Sequence, residues 1–332
     1  MTKASKPFGA LMAAEAAESL SVFAKTATQQ VKTPDMQDVR SIYTIARGSS
    51  DAAVNILSYE VMRELGLPVT SLPPSVFSLG DGVALQDGLA LVVSQSGASD
   101  DLVRSAKGAA DHGARVIAIT NQPDSAVEAA ANLTIPINAG PEMAVPATKT
   151  VIGSIAAGMA LLHALKPSYD PAPSAEALRD LSTKHPRADD LRAAFLRARH
   201  VYVIGRDTGY GAAHEVALKL KECCALHAEA YSSSEVLHGP LQLATNPLMV
   251  LILDTGSEHI QDSLNQAQAR FEGVGCDVHR VRTMDISDAN LKPAAAAALL
   301  LAVLYPIILE TALALGLNPD APETLSKVTQ TT

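Results

Sequence analysis

The chain has 332 residues, of which 48% are hydrophobic and only 18% charged, enough apolar material for two domains of ordinary size and too much for a disordered chain. Its net charge of −9 leaves no basic face to neutralise a phosphate backbone, so no nucleic-acid partner is expected. The three cysteines, adjacent Cys223 and Cys224 and a lone Cys276, fit neither a CxxC redox motif nor a zinc site and are read as reduced core thiols of a cytoplasmic protein.

Residues 1–34 are assigned to an N-terminal helical segment. The first twenty lack a basic start leading into a continuous apolar stretch, so no signal peptide is expected. Strands and helices then alternate. A strand is read at 41–46, a helix at 51–65, a strand at 89–93, a helix at 102–112, strands at 115–120 and 132–137, and a long helix from about 148 to 165. Continuous Val/Ile/Leu strands between amphipathic helices specify a parallel sheet covered on both faces. Residues 166–190, rich in Pro, Ser, Ala and charge, read as a partly helical surface linker.

After the linker the pattern restarts. A strand at 200–204, a helix at 211–229, a strand at 247–253, a helix at 259–273, a strand at 277–281 and an apolar helix at 292–315 follow. Residues 45–49 correspond to 203–207, so the halves form a structural repeat. The expected fold class is α/β, with two tandem doubly wound, flavodoxin-like parallel-sheet domains at 35–168 and 191–315 and a linker at 169–190. The membrane-like run 294–309 falls short of the roughly 18 residues a spanning helix needs. It also contains Pro306 and is closed by Glu310, so a buried helix and no membrane partner are expected. Residues 316–332 form a polar tail that either frays or lies across a site.

The most pointed motif is Ser94, Gln95, Ser96 and Gly97, directly after an apolar strand, with Ser99 and Asp101 opening the next helix. A buried strand ending in hydroxyl and amide side chains, then a glycine turn into a helix N-terminus, gathers unpaired N–H groups and the positive dipole end around one spot. That describes a seat for a phosphate monoester; it equally describes a serine-rich N-cap. No GxxxxGK[ST] or GxGxxG occurs, so a nucleotide is the less natural ligand.

In the second half Glu215, Lys219 and Glu222 fall at i, i+4 and i+7, on one helix face. They are either a solvated salt-bridge ladder or part of a site beyond the carboxyl ends of the strands. His238, just before Gly239 and Pro240, is presented by a turn, as a proton carrier or as an ordinary surface residue. Lys149, a cation at a helix start, opposes the dipole and hints at function; Lys327 in the tail is by default solvated. No His/Cys/carboxylate spacing suggests a metal.

Taken together these motifs resemble the sugar isomerase (SIS) domain family, specifically the two-SIS isomerase half of glucosamine-6-phosphate synthase and its stand-alone relatives. The resemblance runs from about residue 11 to 329. It rests on Gly48, Ser49 and Ser50; on Ser94 to Gly97 with Ser99; and on Glu142, Val145, Ala147, Thr148 and Lys149. In the second half it rests on the run Ala217, Leu218, Lys219, Leu220, Lys221 and Glu222; on His227, Ala228, Glu229 and Ala230; on Glu235 to Pro240; and on Pro322 to Lys327 with Val328.

The resemblance implies that Gly48, Ser49, Ser50, Ser94, Gln95, Ser96 and Ser99 bind a sugar phosphate, with Val145 and Ala147 beside the sugar. It implies that Glu222 shuttles a proton between C1 and C2, supported by Lys219, with Lys327 at the carbonyl end. His238 would open the hexose ring, reaching in from the other subunit of a homodimer. No cofactor or metal is implied. Two positions depart from the synthase pattern: Ala147 stands where a serine is usual, and Arg47 where cysteine is often found.

The chain begins Met1, Thr2, Lys3, without the cysteine-headed glutaminase domain of the synthase, so no ammonia from glutamine is expected. The implied reaction is then amino-sugar-phosphate deamination and isomerisation, glucosamine 6-phosphate to fructose 6-phosphate plus ammonia. The alternatives are a fructosamine-6-phosphate deglycase or another phosphosugar isomerase, and, from a different class, a non-catalytic sugar-phosphate-binding regulator. Against the regulator stand the lack of a basic helix-turn-helix segment and the presence of Glu222, His238 and Lys327 together.

Overall fold

The computed structural model describes residues 7–327. In the first half α1 (Ala10–Ala17) and α2 (Ser19–Ala27) precede β1 (Ser41–Ile45), α3 (Gly48–Leu65), β2 (Val69–Ser71), α4 (Ser75–Ser78), β3 (Gly88–Ser94), α5 (Asp100–Asp111), β4 (Arg115–Thr120), β5 (Leu133–Pro136) and α6 (Lys149–Leu165). The strands lie in the order β2-β1-β3-β4-β5, every pair parallel. This is the flavodoxin-like order, whose winding reverses between β1 and β3 and opens a crevice there. All seven residues of β3, GLALVVS, are buried, as a central parallel strand covered on both faces requires.

The second half runs through α7 (Ala172–Leu178), α8 (Ala188–Arg197), β6 (His200–Gly205), α9 (Thr208–Cys224), β7 (His227–Ser232), β8 (Met249–Asp254), α10 (Gln261–Gly273), β9 (Asp277–Arg282) and α11 (Pro293–Ala314). Its sheet, β7-β6-β8-β9, is again all parallel. The order repeats that of the first four strands, so the tandem doubly wound architecture expected from the sequence is the one found.

Four details differ from the sequence reading. The edge strand β2 was missed, being only three residues long. The helix read at 211–229 stops at Cys224: Ala225 turns left-handed (φ 50°, ψ 31°) and the Leu226 N–H bonds back to the Leu220 carbonyl. The following Ala- and Glu-rich run favours helix by propensity, yet it pairs along its whole length with β6, and tertiary pairing overrides propensity. The segment read as a surface linker carries Tyr169, Ala175 and Leu178 into the main core. Finally, the helix read at 292–315 is found as α11 to within a residue at each end, but the expectation that its apolar run is too short to span a membrane does not hold. Its 22 residues are long and apolar enough to cross a membrane, but 83% of the most apolar window is buried within the protein, against α3, α6, α8 and α9. A helix enclosed on all sides is apolar all round for that reason.

Contact between α3 and α9 joins the two halves. A Cβ on Gly211 would lie 2.6 Å from the Ile56 backbone nitrogen and 3.0 Å from the Ala52 carbonyl oxygen, so only glycine lets the helices approach this closely. Both helices carry site residues, and their packing sets the distance between them.

Candidate active site

A cleft of about 290 Å³ opens beyond the carboxyl ends of β1 and β3, lined by Arg47, Gly48, Ser49, Ser50, Ser94, Gln95, Ser96, Ser99, Asp101, Leu102, Val145, Ala147, Glu222, Leu325, Ser326 and Lys327. Ser94 is the last residue of β3, and its hydroxyl oxygen accepts the Gly97 N–H at 3.1 Å. Gly97 has φ +61°, and a Cβ there would stand 2.2 Å from the Ser125 hydroxyl oxygen, so conformation and space both demand glycine. Ser99 is the N-cap of α5 in extended geometry, but its hydroxyl makes no cap bond. The Ser99 hydroxyl is therefore not the helix cap; its carbonyl receives the Leu102 and Val103 N–H groups at 3.0 Å, and the N–H groups of Asp100 and Asp101 are left for another acceptor. The N-terminus of α3 reaches the same cleft through Gly48, Ser49 and Ser50. Two helix ends with unsatisfied donors converge on one place, the arrangement that favours an anion.

Opposite stands Glu222, whose side chain is 25% exposed. Beneath it Lys219 is fully buried, donating to Glu222 Oε2 at 2.6 Å and to the Ser49 hydroxyl at 2.8 Å, with Glu215 Oε1 at 3.3 Å. All three ammonium protons thus have oxygens to face. Burial alone would push the Lys219 ammonium toward neutrality, but Glu215 and Glu222 outweigh it and hold its proton affinity above that of a free lysine. Glu215 is also fully buried; burial pushes its carboxyl up to about 7, with Lys219 opposing and Glu222 adding to the shift. A solvated salt-bridge ladder is excluded, since two of its three members see no water. The Ser49 bond ties this cluster to the half of the cleft formed by the N-termini of α3 and α5.

Lys327 closes a third side. Its ammonium donates to the Ala144 carbonyl at 2.6 Å and lies 3.4 Å from Glu142 Oε2. Buried Glu142 accepts the N–H groups of Thr148 at 3.0 Å and Thr150 at 3.1 Å, and the Thr150 hydroxyl. The tail leading to Lys327 is anchored rather than frayed. Asp320 accepts the Leu11 and Met12 N–H groups at 3.0 and 2.8 Å, and its carbonyl receives the Val145 N–H at 3.0 Å.

Residues 35–164 and 194–281 match the model of the SIS domain, which covers more than half of the chain. The chain belongs to the SIS domain family. It is 31% identical, with a TM-score of 0.81, to a candidate phosphosugar isomerase from Silicibacter pomeroyi DSS-3, over 93% of this chain and 99% of that one. It is 29% identical over 281 residues to the isomerizing glutamine–fructose-6-phosphate aminotransferase of Halobacterium salinarum, matching 79% of this chain and 47% of that protein. The chain spans about half the length of the curated relatives it matches. A glucosamine-6-phosphate deaminase from Thermotoga maritima shares the fold at a TM-score of 0.77, with 19% identity over 97% of this chain and 100% of that one.

In this SIS protein the sequence-predicted residues of both halves meet in the cleft, Lys219 beneath it, with two exceptions. His238 ends a short 3₁₀ turn and is exposed on a separate hollow shared with Leu237, Gly239 and Gln242. Lys149 is buried and ion-paired with Glu18 at 2.6 Å, so its charge serves the packing of α6 on α2. Val328, part of the C-terminal match, lies outside the described residues. Among the described residues no group of three or more His, Cys, Asp or Glu is placed to hold a metal ion. Cys223 and Cys224 are buried and unbridged, and burial pushes the Cys224 thiol up to about 12.

Sequence reasoning missed four contributors. Arg47 was noted only as a departure, yet it brings a cation to the cleft; Asp101, Glu142 and Asp320 were not given roles. The signal for Arg47 was its place immediately before α3 and for Asp101 its place in the first turn of α5; nothing local marked Asp320.

Proposed function

We propose that this SIS protein is a phosphosugar isomerase acting on an amino-sugar phosphate, converting glucosamine 6-phosphate and water to fructose 6-phosphate and ammonia. The observation that carries the reading is that Glu222 and the Ser94–Ser99 turn face each other across one small cleft. A hexose held there by its phosphate extends toward a carboxylate. Glu222 takes the C2 proton of the open-chain amino aldose and returns a proton to C1, through an enolamine, leaving a C2 imine. Water adds at C2 and ammonia leaves. Lys219 holds the Glu222 carboxylate in place through its 2.6 Å hydrogen bond, and the Lys327 ammonium stabilises the charge that develops on the C1 oxygen. The match to an isomerizing aminotransferase and to a candidate phosphosugar isomerase supports proton transfer on a sugar phosphate.

Ring opening falls to His238, supplied by a second copy of the chain, since within one chain it stands off the cleft. Mixing inactive Glu222→Gln and His238→Ala proteins after mild unfolding tests this: shared sites regain up to a quarter of wild-type activity through correctly paired hybrids, and no regain shows that sites are not shared.

A second reading has one observation in its favour. A hollow of about 490 Å³, lined by Lys221, Cys223, Pro322 and Glu323 among others, shares Glu222 and Leu325 with the cleft. It offers room for the nitrogen substituent of a fructosamine 6-phosphate conjugate.

The deciding assay is ammonia release from glucosamine 6-phosphate beside amine release from substituted fructosamine 6-phosphates, with wild type and Glu222→Gln. The Gln variant is expected to bind sugar phosphate but lose about 10²- to 10⁴-fold in turnover, the range general-base catalysis supplies. Absence of proton exchange at C1 or C2 of every hexose 6-phosphate tried removes the isomerase reading altogether.

A further inference from the structure

The phosphate seat holds a charged group that hydroxyls and backbone N–H groups alone do not supply. Arg47 is the residue immediately before α3, in extended geometry (φ −140°, ψ 151°), and lines the cleft with 42% of its side chain exposed. Its Nε is ion-paired with the carboxylate of Asp101, which lies in the first turn of α5 and is 1% exposed. The pair therefore links the two helix N-termini that form the seat. A guanidinium presents five N–H donors in a rigid fork; the contact with Asp101 is made through Nε, and among the described residues the Arg47 side chain makes no other hydrogen bond or ion pair.

We propose that Arg47 is a specificity-determining ligand of the substrate phosphate, its terminal N–H groups selecting the doubly charged form, and that Asp101 is the positioning residue that aims it. The proposal rests on reading the Ser94–Ser99 turn as a phosphate seat. Neutral donors serve a singly charged and a doubly charged oxyanion almost alike. A fixed guanidinium favours the dianion, and a phosphate monoester gains its second charge near pH 6. Asp101 costs little in this position because it is near the positive end of α5 and has a cation beside it. An arginine that merely neutralised Asp101 would not need to border the cleft.

The test is calorimetric titration of inorganic phosphate and fructose 6-phosphate, with unphosphorylated fructose as control, into wild type, Arg47→Lys, Arg47→Met and Asp101→Asn between pH 5.5 and 8. Arg47→Met/Asp101→Leu removes the pair as a unit and guards against a folding defect from an orphaned carboxylate. Wild type is expected to bind fructose 6-phosphate more tightly as pH rises through about 6, and inorganic phosphate, a weaker acid in its second ionisation, more tightly at a somewhat higher pH. Arg47→Met and the double variant should lose about 10- to 100-fold in affinity at pH 8, the value of a hydrogen bond to a charged group, and most of the pH dependence. Arg47→Lys should keep part of both. Asp101→Asn should weaken binding less than Arg47→Met, with KM raised and kcat at saturation unchanged. If the folded Arg47 variants bind phosphate with wild-type affinity and pH profile while Ser96→Ala does not, Arg47 is only a clamp and the proposal falls alone. If wild type binds neither phosphate nor fructose 6-phosphate, the seat itself is wrong and both readings fall.

Discussion

Lys219 places its ammonium 2.6 Å from the Glu222 carboxylate at a point with no solvent exposure of its own. The attraction of Glu222 and Glu215 outweighs the burial that would discharge the lysine. Replacing Lys219 by Met leaves two carboxylates facing each other with no counter-ion, and breaking a buried ion pair from one side costs about 3–5 kcal/mol. Stability is expected to drop by that order in chemical denaturation. Adding Glu215→Leu should restore much of the stability, because the second buried charge is then gone, but not turnover, because Glu222 still lacks its cation. Recovery of both in the double variant would assign Lys219 to folding alone.

The turn at Gly97 makes a sharper steric prediction. Alanine there must hold a positive φ, at roughly 1 kcal/mol or more, and must also displace Ser125, whose Oγ and Cβ lie 2.2 and 2.3 Å from the new Cβ position. Gly97→Ala should thus be destabilised by more than the conformational cost, and should bind phosphate poorly. Gly97→Ala/Ser125→Gly relieves the clash and leaves the φ strain. Denaturation midpoints should place the double variant between the single variant and wild type; equal values for the two variants would mean that Ser125 yields without cost.

Glu60, on α3, gives a pH prediction that needs no assumption about substrate. It is 1% exposed and accepts the Ala294 N–H at the start of α11 at 3.0 Å. Burial pushes its carboxyl from 4.5 up to about 7, against the opposing pull of Tyr169, Ala294, Arg63 and Lys292. The folded state holds this proton more tightly than the unfolded chain. The associated stability is therefore complete below about pH 4.5 and is lost as pH rises through 7, at about 3 kcal/mol for a shift of this size. Glu215, pushed up to about 7 as well, acts in the same direction. Glu60→Gln keeps an acceptor for Ala294 and cannot ionise. Its stability should match wild type near pH 4.5, exceed it at pH 8, and vary about half as steeply between, Glu215 supplying the remainder. Parallel curves would show that Glu60 does not titrate with folding.

The sequence carried the fold because continuous apolar strands such as β3 and β8 declare a parallel sheet without reference to distant residues. It failed at β7, where Ala and Glu say helix locally and only pairing with β6 says strand. The site divided along the same line. Ser94, Gln95, Ser96, Gly97 and Ser99 are contiguous, and Glu215, Lys219 and Glu222 share one helix face, so local spacing sufficed to group them. Whether that face was wet could not be read locally, because α3 and α11 enclose it from remote parts of the chain. The Arg47–Asp101 pair also joins separate segments, and each partner alone reads as an ordinary charged residue near a helix start.

Asp320 is the extreme case of such a long-range role, and the last prediction concerns it. Helix α1 follows an N-cap glycine, Gly9, in the left-handed conformation, and has no side-chain cap of its own. Its orphan N–H groups at Leu11 and Met12 are received instead by the Asp320 carboxylate, and the Gly9 N–H reaches the Asn318 side chain at 3.4 Å. The same residue holds Val145 through its backbone, so one aspartate fastens the N-terminal helix, a cleft-lining loop and the segment that delivers Lys327. Loss of an N-cap carboxylate costs about 0.5–2 kcal/mol. Asp320→Ala should lose about that much stability, with Asp320→Asn losing less because asparagine also caps well. The effect on the cleft should be larger than the effect on folding, since a tail released at Asp320 no longer presents Lys327 while the Ser94–Ser99 turn is untouched. Phosphate binding should accordingly survive and turnover should fall. Protease sensitivity of the C-terminal segment, compared between Asp320→Ala and wild type, checks the release directly. An intact tail with lost turnover would move the defect from Lys327 to Val145.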